Sequence, residues 1–504
     1  MTSWKDRMKA AGLSYGPWYI LLLPVFFVLH GWKENYYDLA VGPLIPLTGL
    51  YLGVSILIYG IFWLIFRNPR RAGIITFFVL SVHFFFGAVQ DMLLSVPALS
   101  PYVRYTYLLG FIFLFLILLF VWLKGTKRKL ARLNFYLNVL LVIFLVTDMI
   151  SIIVLPAVNK NRFTLQDEHV PLRSCKDCPR PDVYFFLCDE FASSASLKDT
   201  WGFDNSGFDS SLRKSGFQVM EASSSNYNFT QFSVASILNM DYLKGLTDPS
   251  AVGLYDYQRC NALIRNNRVV GFFQSNGYEI HNYSIFDLEG YPTPLHQNFL
   301  PLKTRIITEQ TLLNRMKRDL AHLLVAGRFR IEFLRQWLLE NNTFDSNAVL
   351  NEVVRESARP SVNPRFYYVH LLMPHVPHLY DSAGNRRSDS LVIMDYKNVL
   401  PETYMGSVQY TSRRMQGAID TILHNSAKPP VILVMGDHGF RMEEPLTRRK
   451  DFFRNMNAVY LPGRAKSVFP DSVSAVNQFR ILFNTLYGQR LPLLKDSTIL
   501  LVDK

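Results

Sequence analysis

Cysteine is scarce in this chain, with four residues in 504. Cys175 and Cys178 form a CxxC pair without a second pair of ligands, which favours a local disulfide over a zinc site. Cys188 lies inside an apolar run and is expected to be a buried small side chain. Cys260 has no obvious partner in the sequence.

Other features missing from the sequence exclude some classes of function. Residues 181–504 contain no basic cluster interleaved with aromatic side chains, so a nucleic-acid partner is not expected despite the net charge of +13. Attraction to an anionic membrane surface remains open. The chain also shows no internal repeat and no low-complexity tract.

Long apolar stretches are concentrated near the N-terminus. Most approach the ~20 residues that a helix needs to span a bilayer, and the first is the shortest. No small-residue cleavage site follows that first stretch, which predicts an anchor rather than a removed signal peptide. The five stretches are 17–32, 44–66, 72–90, 105–123 and 134–155.

Basic residues predict the orientation of these spans. They cluster before the first span, between the second and third, and between the fourth and fifth: Lys5, Arg7, Lys9, Arg67, Arg70, Arg71, Lys124, Lys127, Arg128, Lys129 and Arg132. The positive-inside rule therefore puts the N-terminus in the cytoplasm and everything after about residue 157 outside. We predict a transmembrane domain of five helices over 1–157, a linker over 158–180 and an extracytoplasmic domain over 181–504.

Three polar residues lie within the predicted spans. His30, His83 and Asp148 are candidate functional groups, because polar side chains in a bilayer usually face protein or water. These three residues are explained equally well if they lie near the ends of the spans or pair with a neighbouring helix.

The outer part alternates strand-like and helix-like stretches, which predicts an α/β domain with a largely parallel sheet covered by helices. Runs at 182–188, 365–372 and 430–435 that are mostly apolar or aromatic on both faces are typical of central strands of a covered sheet. Helical spacing occurs at 233–240 and 408–423, and 269–280 has the pattern of a helix, a glycine turn and a strand.

Acidic and imidazole groups follow three of these strands. Asp189 and Glu190 follow the first, "MPHVPH" (373–378) follows the second, and Asp437 with His438 follows the third. Ligands bind at the carboxyl ends of strands in open α/β sheets, so these side chains are expected to form a metal-assisted site.

The segments "PDVYFFLCDE", "NFTQFSVASILN", "HLLMPHVPH" and "VMGDHG", in this order, resemble the alkaline phosphatase–sulfatase superfamily. Five spans before an outward-facing domain resemble its membrane-bound branch, the lipoteichoic acid synthases and phosphoethanolamine transferases. The resemblance implies a five-helix transmembrane domain followed by an α/β sulfatase-like domain.

The resemblance also implies a ligand set. Asp189 or Glu190 stands where the family has an acidic metal ligand, and which of the two is the main ligand stays open. Asp437 and His438 match the family's "DHG", and Thr230 stands at its nucleophile, which is also expected to bind the metal. The implied cofactor is Zn²⁺ or the related Mn²⁺.

The histidines of "HLLMPHVPH" have weaker assignments. His375 matches a histidine that contacts the phosphate or leaving group in the transferases, and His370 and His378 are weaker candidates for substrate binding. The sulfatase signature Cys/Ser-x-Pro-x-Arg is absent, since Thr230 is followed by Gln-Phe-Ser-Val. Sulfatase chemistry is therefore not expected.

These features predict a transferase that moves a phosphoethanolamine or phosphoglycerol head group from a membrane phospholipid, through a covalent phospho-threonine, to an envelope glycan or lipid. The alternative is a membrane-anchored, sulfatase-like hydrolase or phosphodiesterase with water as acceptor. A non-catalytic structural or sensing protein is disfavoured by the intact Thr230, Asp437 and His438. The expected location is a bacterial inner membrane, with the catalytic domain on its periplasmic or extracellular side.

Overall fold

The computed structural model describes residues 16–35, 41–128, 130–159, 171–175, 177–244, 246, 249–293, 304–317, 345–395, 399–441, 447–463 and 468–502. The chain divides into two compact units. The first unit comprises 1–164 and 300–330, and the second comprises 165–299 and 331–504.

The first unit is built from apolar helices. Asn68 caps the third of them, since its side chain accepts hydrogen bonds from the amides of Arg70 and Arg71 at 3.1 and 3.2 Å. The five N-terminal helices are α1 (Tyr19–Glu34), α2 (Leu44–Phe66), α3 (Pro69–Leu94), α4 (Tyr105–Gly125) and α5 (Ala131–Asn159).

Four helices among the described residues, rather than the predicted five, are long and apolar enough to cross a membrane. They are α2, α3, α4 and the Ala131–Val154 part of α5. The two counts differ at the first stretch, where α1 has 16 residues. At 1.5 Å per residue α1 is about 24 Å long, shorter than a hydrocarbon core of about 30 Å.

Helix α1 is nevertheless packed inside the first unit. Tyr19, Leu23 and Phe27 are at most 5% exposed, and the ring of Phe27 stacks on that of Phe84 in α3 at 4.5 Å. The amide of Tyr19 donates to the side chain of Asn138 in α5 at 2.8 Å. Most of its apolar surface is therefore covered by neighbouring helices.

A segment distant in sequence completes this unit. Residues 304–317, which include α11 (Arg305–Thr308), pack on the N-terminal helices. Arg315 pairs with Asp91 through two bonds of 2.8 and 2.5 Å, and the amide of Gly87 donates to the carbonyl of Gln310 at 2.8 Å. A side chain at Gly87 would meet this segment, so glycine is what allows the close approach.

The second unit contains a six-stranded sheet with helices. Its strands are β1 (Val183–Cys188), β2 (Gln218–Val219), β3 (Glu279–Tyr283), β4 (Arg365–Leu371), β5 (Val431–Gly436) and β6 (Asn457–Tyr460). Its described helices are α6 (Ser194–Trp201), α7 (Ser206–Lys214), α8 (Thr230–Asn239), α9 (Leu254–Arg265), α10 (Arg268–Ser275), α12 (Ser346–Ser357), α13 (Asp389–Asp395), α14 (Pro401–Asn425) and α15 (Gln478–Tyr487). Short 3₁₀ turns lie at Ser100–Tyr102 in the first unit and at Pro249–Ala251, Arg449–Phe452 and Ala475–Asn477 in the second.

The sheet is mixed, which corrects the expectation of a largely parallel one. The strand order is β2-β6-β5-β1-β4-β3. The β5, β1, β4 and β3 strands pair in parallel, whereas β6 runs antiparallel to both β5 and β2. The antiparallel strand lies outside the parallel block, where it needs no crossover helix to reach its neighbour.

Complete burial explains why three central strands could be predicted from the sequence. Every residue of β1, β4 and β5 is buried, as expected for strands covered on both faces. Their register pairs Cys188 with Leu371 and with Gly436, so the three strands end at one level of the sheet. Helices α8, α10 and α14 and strand β3 also fall where the spacing predicted them.

The cysteine predictions are confirmed. Cys175 and Cys178 form a disulfide, and Cys188 is a buried free thiol within β1. Cys260 is also free and buried.

Arg365 ties the amino ends of β1 and β4 together, and its replacement by alanine should destabilise the second unit. The guanidinium of Arg365 donates to Asp182 at 2.8 and 3.2 Å and to two backbone carbonyls at 3.0 Å. Loss of charge-assisted hydrogen bonds of this kind lowers the free energy of unfolding by about 2–3 kcal/mol. Chemical denaturation followed by circular dichroism measures the change.

Arg359→Ala is the matched control for Arg365→Ala. Its side chain is 59% exposed and pairs with Glu356 one turn away, and surface pairs within a helix contribute about 0.3–0.5 kcal/mol. Equal destabilisation by the two substitutions would contradict this account of Arg365.

Candidate metal centre

Two turns at the carboxyl ends of β1 and β5 form the site. The amide of Asp189 donates to the carbonyl of Leu371 at 2.9 Å, and the amide of Asp437 donates to the carbonyl of Cys188 at 3.3 Å. These bonds continue the pairing of the sheet just past the strand ends. The first residue after each strand is thereby brought to the same place.

Both glycines of the "GDHG" motif are required by close backbone approach. A Cβ atom on Gly436 would collide with the carbonyl oxygen of Phe191, and one on Gly439 would collide with that of Asp451. The motif is therefore a tightly packed turn that carries Asp437 and His438 between its glycines.

Asp437 is completely buried and uses its two carboxylate oxygens differently. Its Oδ1 accepts the backbone amides of Glu190 and His438 at 2.9 and 2.8 Å. Its Oδ2 is buried and has no hydrogen-bond partner in the described structure. A buried carboxylate oxygen without a donor is costly, which fits a position where a cation would bind.

His438 is oriented as a metal ligand would be. Its ring is buried, and Nδ1 lies 2.7 Å from the carbonyl of Gly439, a bond that only a protonated Nδ1 can make. In the neutral ring, Nε2 then carries the lone pair. This Nε2 lies 3.4 Å from Asp437 Oδ2 and 3.9 Å from Asp189 Oδ1.

Asp189, Asp437 and His438, hereafter the acidic–histidine group, could hold a metal ion. Each of the three side chains offers one ligand atom, and these atoms lie within 4.8 Å of one another. All three side chains are buried. Two carboxylates and an imidazole nitrogen match the ligand preference of Zn²⁺ and related ions.

The electrostatics of this group favour a cation. Burial, together with repulsion from the Asp437 carboxylate, raises the pKa of Asp189 to about 8. Burial lowers the pKa of His438 to about 3, so its imidazole is neutral and able to coordinate. A divalent ion would relieve the repulsion between the two buried carboxylates.

Thr230 is the first residue of α8 and lies beside the acidic–histidine group. Its hydroxyl donates to Asp189 Oδ1 at 3.4 Å and is 3.3 Å from His438 Nε2. The amino end of a helix carries a partial positive charge, which stabilises negative charge near this hydroxyl.

Glu190 is buried in the same turn but faces a different set of groups. Its backbone has a φ of 59°, in the left-handed region that non-glycine residues rarely adopt. The Tyr404 hydroxyl donates to its carbonyl oxygen at 2.6 Å. Its carboxylate lies 3.3 Å from Arg441 Nε and 3.8 Å from His375 Nε2.

His375 lies next to Glu190, and its side chain is 28% exposed. Its Nδ1 is 2.6 Å from the carbonyl of Val376, which leaves Nε2 directed toward the acidic side chains. Burial disfavours its charged form, but the carboxylates of Asp189 and Glu190 outweigh that effect and raise its pKa. Proton donation by His375 is thereby favoured at neutral pH.

The other two histidines of this segment are deeply buried. His370 is 0% exposed within β4 and His378 is 1% exposed. Burial lowers the pKa of His370 to about 4 and that of His378 to about 3. Both rings are therefore neutral, and their contact with substrate stays a prediction.

Sequence reasoning missed Arg441 and Tyr404. Arg441 directly follows "VILVMGDHGF", and its guanidinium also lies over the ring of Phe229 at 4.7 Å. Tyr404 stacks on Phe440 of that motif at 3.7 Å. The only sequence signal for Arg441 is its place beside the motif, and a single basic residue after a strand is too common to be informative.

No protein-family model and no curated protein matches the chain. Solved structures do match, including the zinc complex of the C-terminal periplasmic domain of EcEptC from Escherichia coli, at 10% identity over 65% of this chain and 92% of that chain, with a TM-score of 0.40. The integral membrane lipooligosaccharide phosphoethanolamine transferase A (EptA) from Neisseria meningitidis matches at 10% identity over 88% of each chain, with a TM-score of 0.36.

A 2-O GAG sulfatase matches at 12% identity over 63% of this chain and 73% of that chain, with a TM-score of 0.38. The structures to which this chain is similar thus include phosphoethanolamine transferases and sulfatases, the kinds of protein that its motifs resemble.

Isosteric amide substitutions should show which acidic residue binds the metal. Asp189→Asn removes a charge from the acidic–histidine group, so zinc affinity should fall by about 100-fold or more, beyond the 10–100-fold typical of outer-shell changes. Glu190→Gln removes an equal charge from the adjoining Arg441 and His375 contacts, so its effect should be about tenfold or less. Competition with a fluorescent zinc chelator measures both affinities, and the reverse order would make Glu190 the ligand.

Metal binding should release a proton below pH 8. Because the pKa of Asp189 is raised to about 8 in the metal-free protein, a bound cation must displace its proton. Zinc affinity should therefore rise about tenfold per pH unit between roughly pH 6 and 7.5 and level off above 8. The pKa of His438 is too low for this residue to contribute in that range.

Calorimetric titration in two buffers of different ionisation enthalpy counts the released protons directly. The expected number is about one at pH 6.5, and Asp189→Asn should remove it. A pH-independent affinity in the wild-type protein would contradict the raised pKa.

Proposed function

We propose that this protein is a metal-dependent membrane transferase. It moves a phospholipid head group, phosphoethanolamine or phosphoglycerol, by way of a covalent phospho-threonine to a glycan or lipid of the cell envelope. The observation that carries the proposal is the position of the Thr230 hydroxyl, 3.3 and 3.4 Å from His438 Nε2 and Asp189 Oδ1. The choice of head groups and acceptor follows from the sequence motifs.

Asp189, Asp437, His438 and Thr230 would hold the metal, with Glu190 as an alternative acidic ligand. The unpartnered Asp437 Oδ2 and the lone pair on His438 Nε2 fit Zn²⁺ or Mn²⁺. When bound, the ion supplies positive charge that neutralises the phosphodiester and makes the threonine hydroxyl more acidic.

The residues of the chain then divide the chemistry between them. Thr230 loses its hydroxyl proton to solvent water, and its Oγ1 forms a bond to phosphorus as the bond between phosphorus and the diacylglycerol oxygen breaks, which leaves the head-group phosphate on Thr230. His375 protonates the departing oxygen or holds a phosphoryl oxygen, roles that its raised pKa supports. An acceptor hydroxyl then passes its proton to the deprotonated His375 and forms a bond to the same phosphorus as the bond to Thr230 Oγ1 breaks, and Thr230 regains a proton from water.

We place this chemistry on the outer side of a bacterial inner membrane. This orientation needs α1 to cross the bilayer with the four longer helices. Its burial among them supports that reading, since Tyr19 and Leu23 are at most 1% exposed. A helix shorter than the hydrocarbon core can cross where the bilayer thins locally or where side chains at its ends extend to the interface.

Removal of the threonine hydroxyl tests the proposal. Purified full-length protein is incubated with phosphatidylethanolamine or phosphatidylglycerol carrying a fluorescent acyl chain, and diacylglycerol is measured. Wild type should release diacylglycerol from at least one lipid, and Thr230→Ala should reduce the rate by about 10³-fold or more, as expected when a nucleophile is lost.

Thr230→Ser is the matched control, because it keeps a hydroxyl at the same position and should retain measurable turnover. Trapped phosphate on residue 230, detected by mass spectrometry, would support the covalent step. Wild type that is indistinguishable from Thr230→Ala on both lipids would refute a lipid donor. Diacylglycerol release with free head-group phosphate and no transfer product would instead favour the hydrolase alternative.

A further inference from the structure

The residues that lead into Thr230 form an irregular segment of the second unit. Strand β2 ends at Val219 and helix α8 begins at Thr230. Between them the backbone meets a distant stretch of the chain at an isolated bridge, Tyr227 with Ile499. We refer to residues 223–229 as the entry segment. Since this segment is irregular, the hydrogen bonds that hold it decide where α8 starts.

Asn228 holds the entry segment to a residue 273 positions away. Its Nδ2 donates to the carbonyl oxygen of Leu501 at 3.0 Å, and its Oδ1 accepts the amide of Leu501 at 2.8 Å. Asn228 is 3% exposed and Leu501 is 2% exposed. A side-chain amide bonded to both backbone groups of one residue has a fixed orientation, and its removal leaves buried polar groups unpaired.

Asn226 makes a second connection of the same kind. Its Nδ2 donates to the carbonyl of Ser497 at 2.9 Å, and its own carbonyl accepts the amide of Ile499 at 2.9 Å. The Tyr242 hydroxyl accepts from the same Nδ2 at 3.0 Å and from the amide of Ser497 at 2.9 Å. This hydroxyl also donates to the carbonyl of Lys495 at 2.7 Å.

The distant partners in these bonds belong to residues 495–502, which we refer to as the strap. Most residues of the strap are exposed, and Leu501 is the buried one. Its last part also bonds to a neighbouring turn, because the amide of Val502 donates to the carbonyl of Pro249 at 3.0 Å. The strap is therefore held mainly by hydrogen bonds, and it should open locally at a lower free energy than the buried strands.

The position of Thr230 is critical to the site. Its hydroxyl lies 3.3 Å from His438 Nε2 and 3.4 Å from Asp189 Oδ1. The sheet carries His438 and Asp189 on its turns, whereas Thr230 reaches them by way of the entry segment. Because misplacement of a reacting group by about 1 Å can lower a rate by about 100-fold, the contacts of the entry segment affect the site itself.

We propose that the strap positions Thr230. Asn226 and Asn228 connect the strap to the entry segment, so that α8 starts where the Thr230 hydroxyl reaches the acidic–histidine group. Both asparagines act through Thr230 and are therefore positioning residues. The expected effect on turnover rests on the proposed function, in which Thr230 is the nucleophile and a metal ligand.

Hydrogen exchange measured by mass spectrometry on the full-length protein tests this connection without relying on turnover. Asn228→Ala removes both bonds to Leu501, so amides of the entry segment and the strap should exchange about 10- to 100-fold faster. Tyr242→Phe removes a hydroxyl that binds the strap and leaves both asparagines in place, so it should cause a smaller increase at the same amides. This second variant decides the question if Asn228→Ala does not fold. Unchanged exchange in Tyr242→Phe and in folded Asn228→Ala overturns the proposal.

Asn239→Ala is the matched control. Asn239 is the last residue of the same helix, is 1% exposed, and donates to the carbonyls of Ala235 and Leu263 at 2.8 and 3.0 Å. Its replacement should lower the thermal midpoint about as much as Asn228→Ala does. Exchange of the entry segment and zinc affinity should stay within about twofold of wild type. Faster exchange of the entry segment in Asn239→Ala, equal to that in Asn228→Ala, would contradict a specific role for the strap.

Zinc affinity shows whether the strap acts through Thr230. In competition with a fluorescent chelator, Asn228→Ala should bind zinc about tenfold more weakly than wild type, as expected when the support of a ligand is lost. In the Thr230→Ala background the same substitution should change the affinity by less than about twofold, because the ligand that it displaces is already absent. An equal loss in both backgrounds overturns positioning through Thr230.

Failure of the strap and failure of the proposed function give different results. If wild type releases diacylglycerol, Asn228→Ala should lower kcat about 10- to 100-fold and leave KM within about twofold. Unchanged kcat together with unchanged zinc affinity rejects the strap alone. Faster exchange and a Thr230-dependent loss of zinc affinity, in a wild type that cleaves neither lipid, reject the transferase and support the strap.

Discussion

The site in the second unit depends on the carboxylate of Asp437. One of its oxygens accepts two backbone amides, from Glu190 in the turn after β1 and from His438 in its own turn. This single atom fixes the two turns relative to each other. The other oxygen is left buried and without a hydrogen-bond partner, where a cation would offset its charge.

The rest of the site follows from this arrangement. The turn after β1 brings Asp189 within reach of His438, and burial, together with repulsion from the Asp437 carboxylate, raises the pKa of Asp189 to about 8. Two buried carboxylates this close to each other are destabilising unless positive charge offsets them. The first unit meets the same requirement differently, since buried Asp148 is paired with Lys33 and His30 from within the chain.

Much of this could be predicted from the sequence because it depends on strands that are buried on both faces. Runs such as "VYFFLC" and "VILVM" have no polar face. The sequence alone therefore predicts that they are central strands and where each of them ends. The acidic and histidine residues after those ends could therefore be assigned to one edge of the sheet. The carboxyl-terminal groups of β1 and β5 meet there because Cys188 and Gly436 are paired in register.

Other features depend on contacts that no local pattern records. Asp189 and Glu190 are chemically similar neighbours, and what separates them is the left-handed backbone of Glu190, held by the Tyr404 hydroxyl and by Asp437. The return of residues 304–317 to the first unit likewise rests on a pairing of Arg315 with Asp91 across 224 positions. Sequence spacing can show which edge a side chain reaches, but distant partners decide which way it turns. In this site the orientation of the two side chains places Asp189 beside Thr230 and Glu190 beside Arg441 and His375. Asp189 is therefore suited to bind a metal, whereas Glu190 lies with the groups suited to proton transfer.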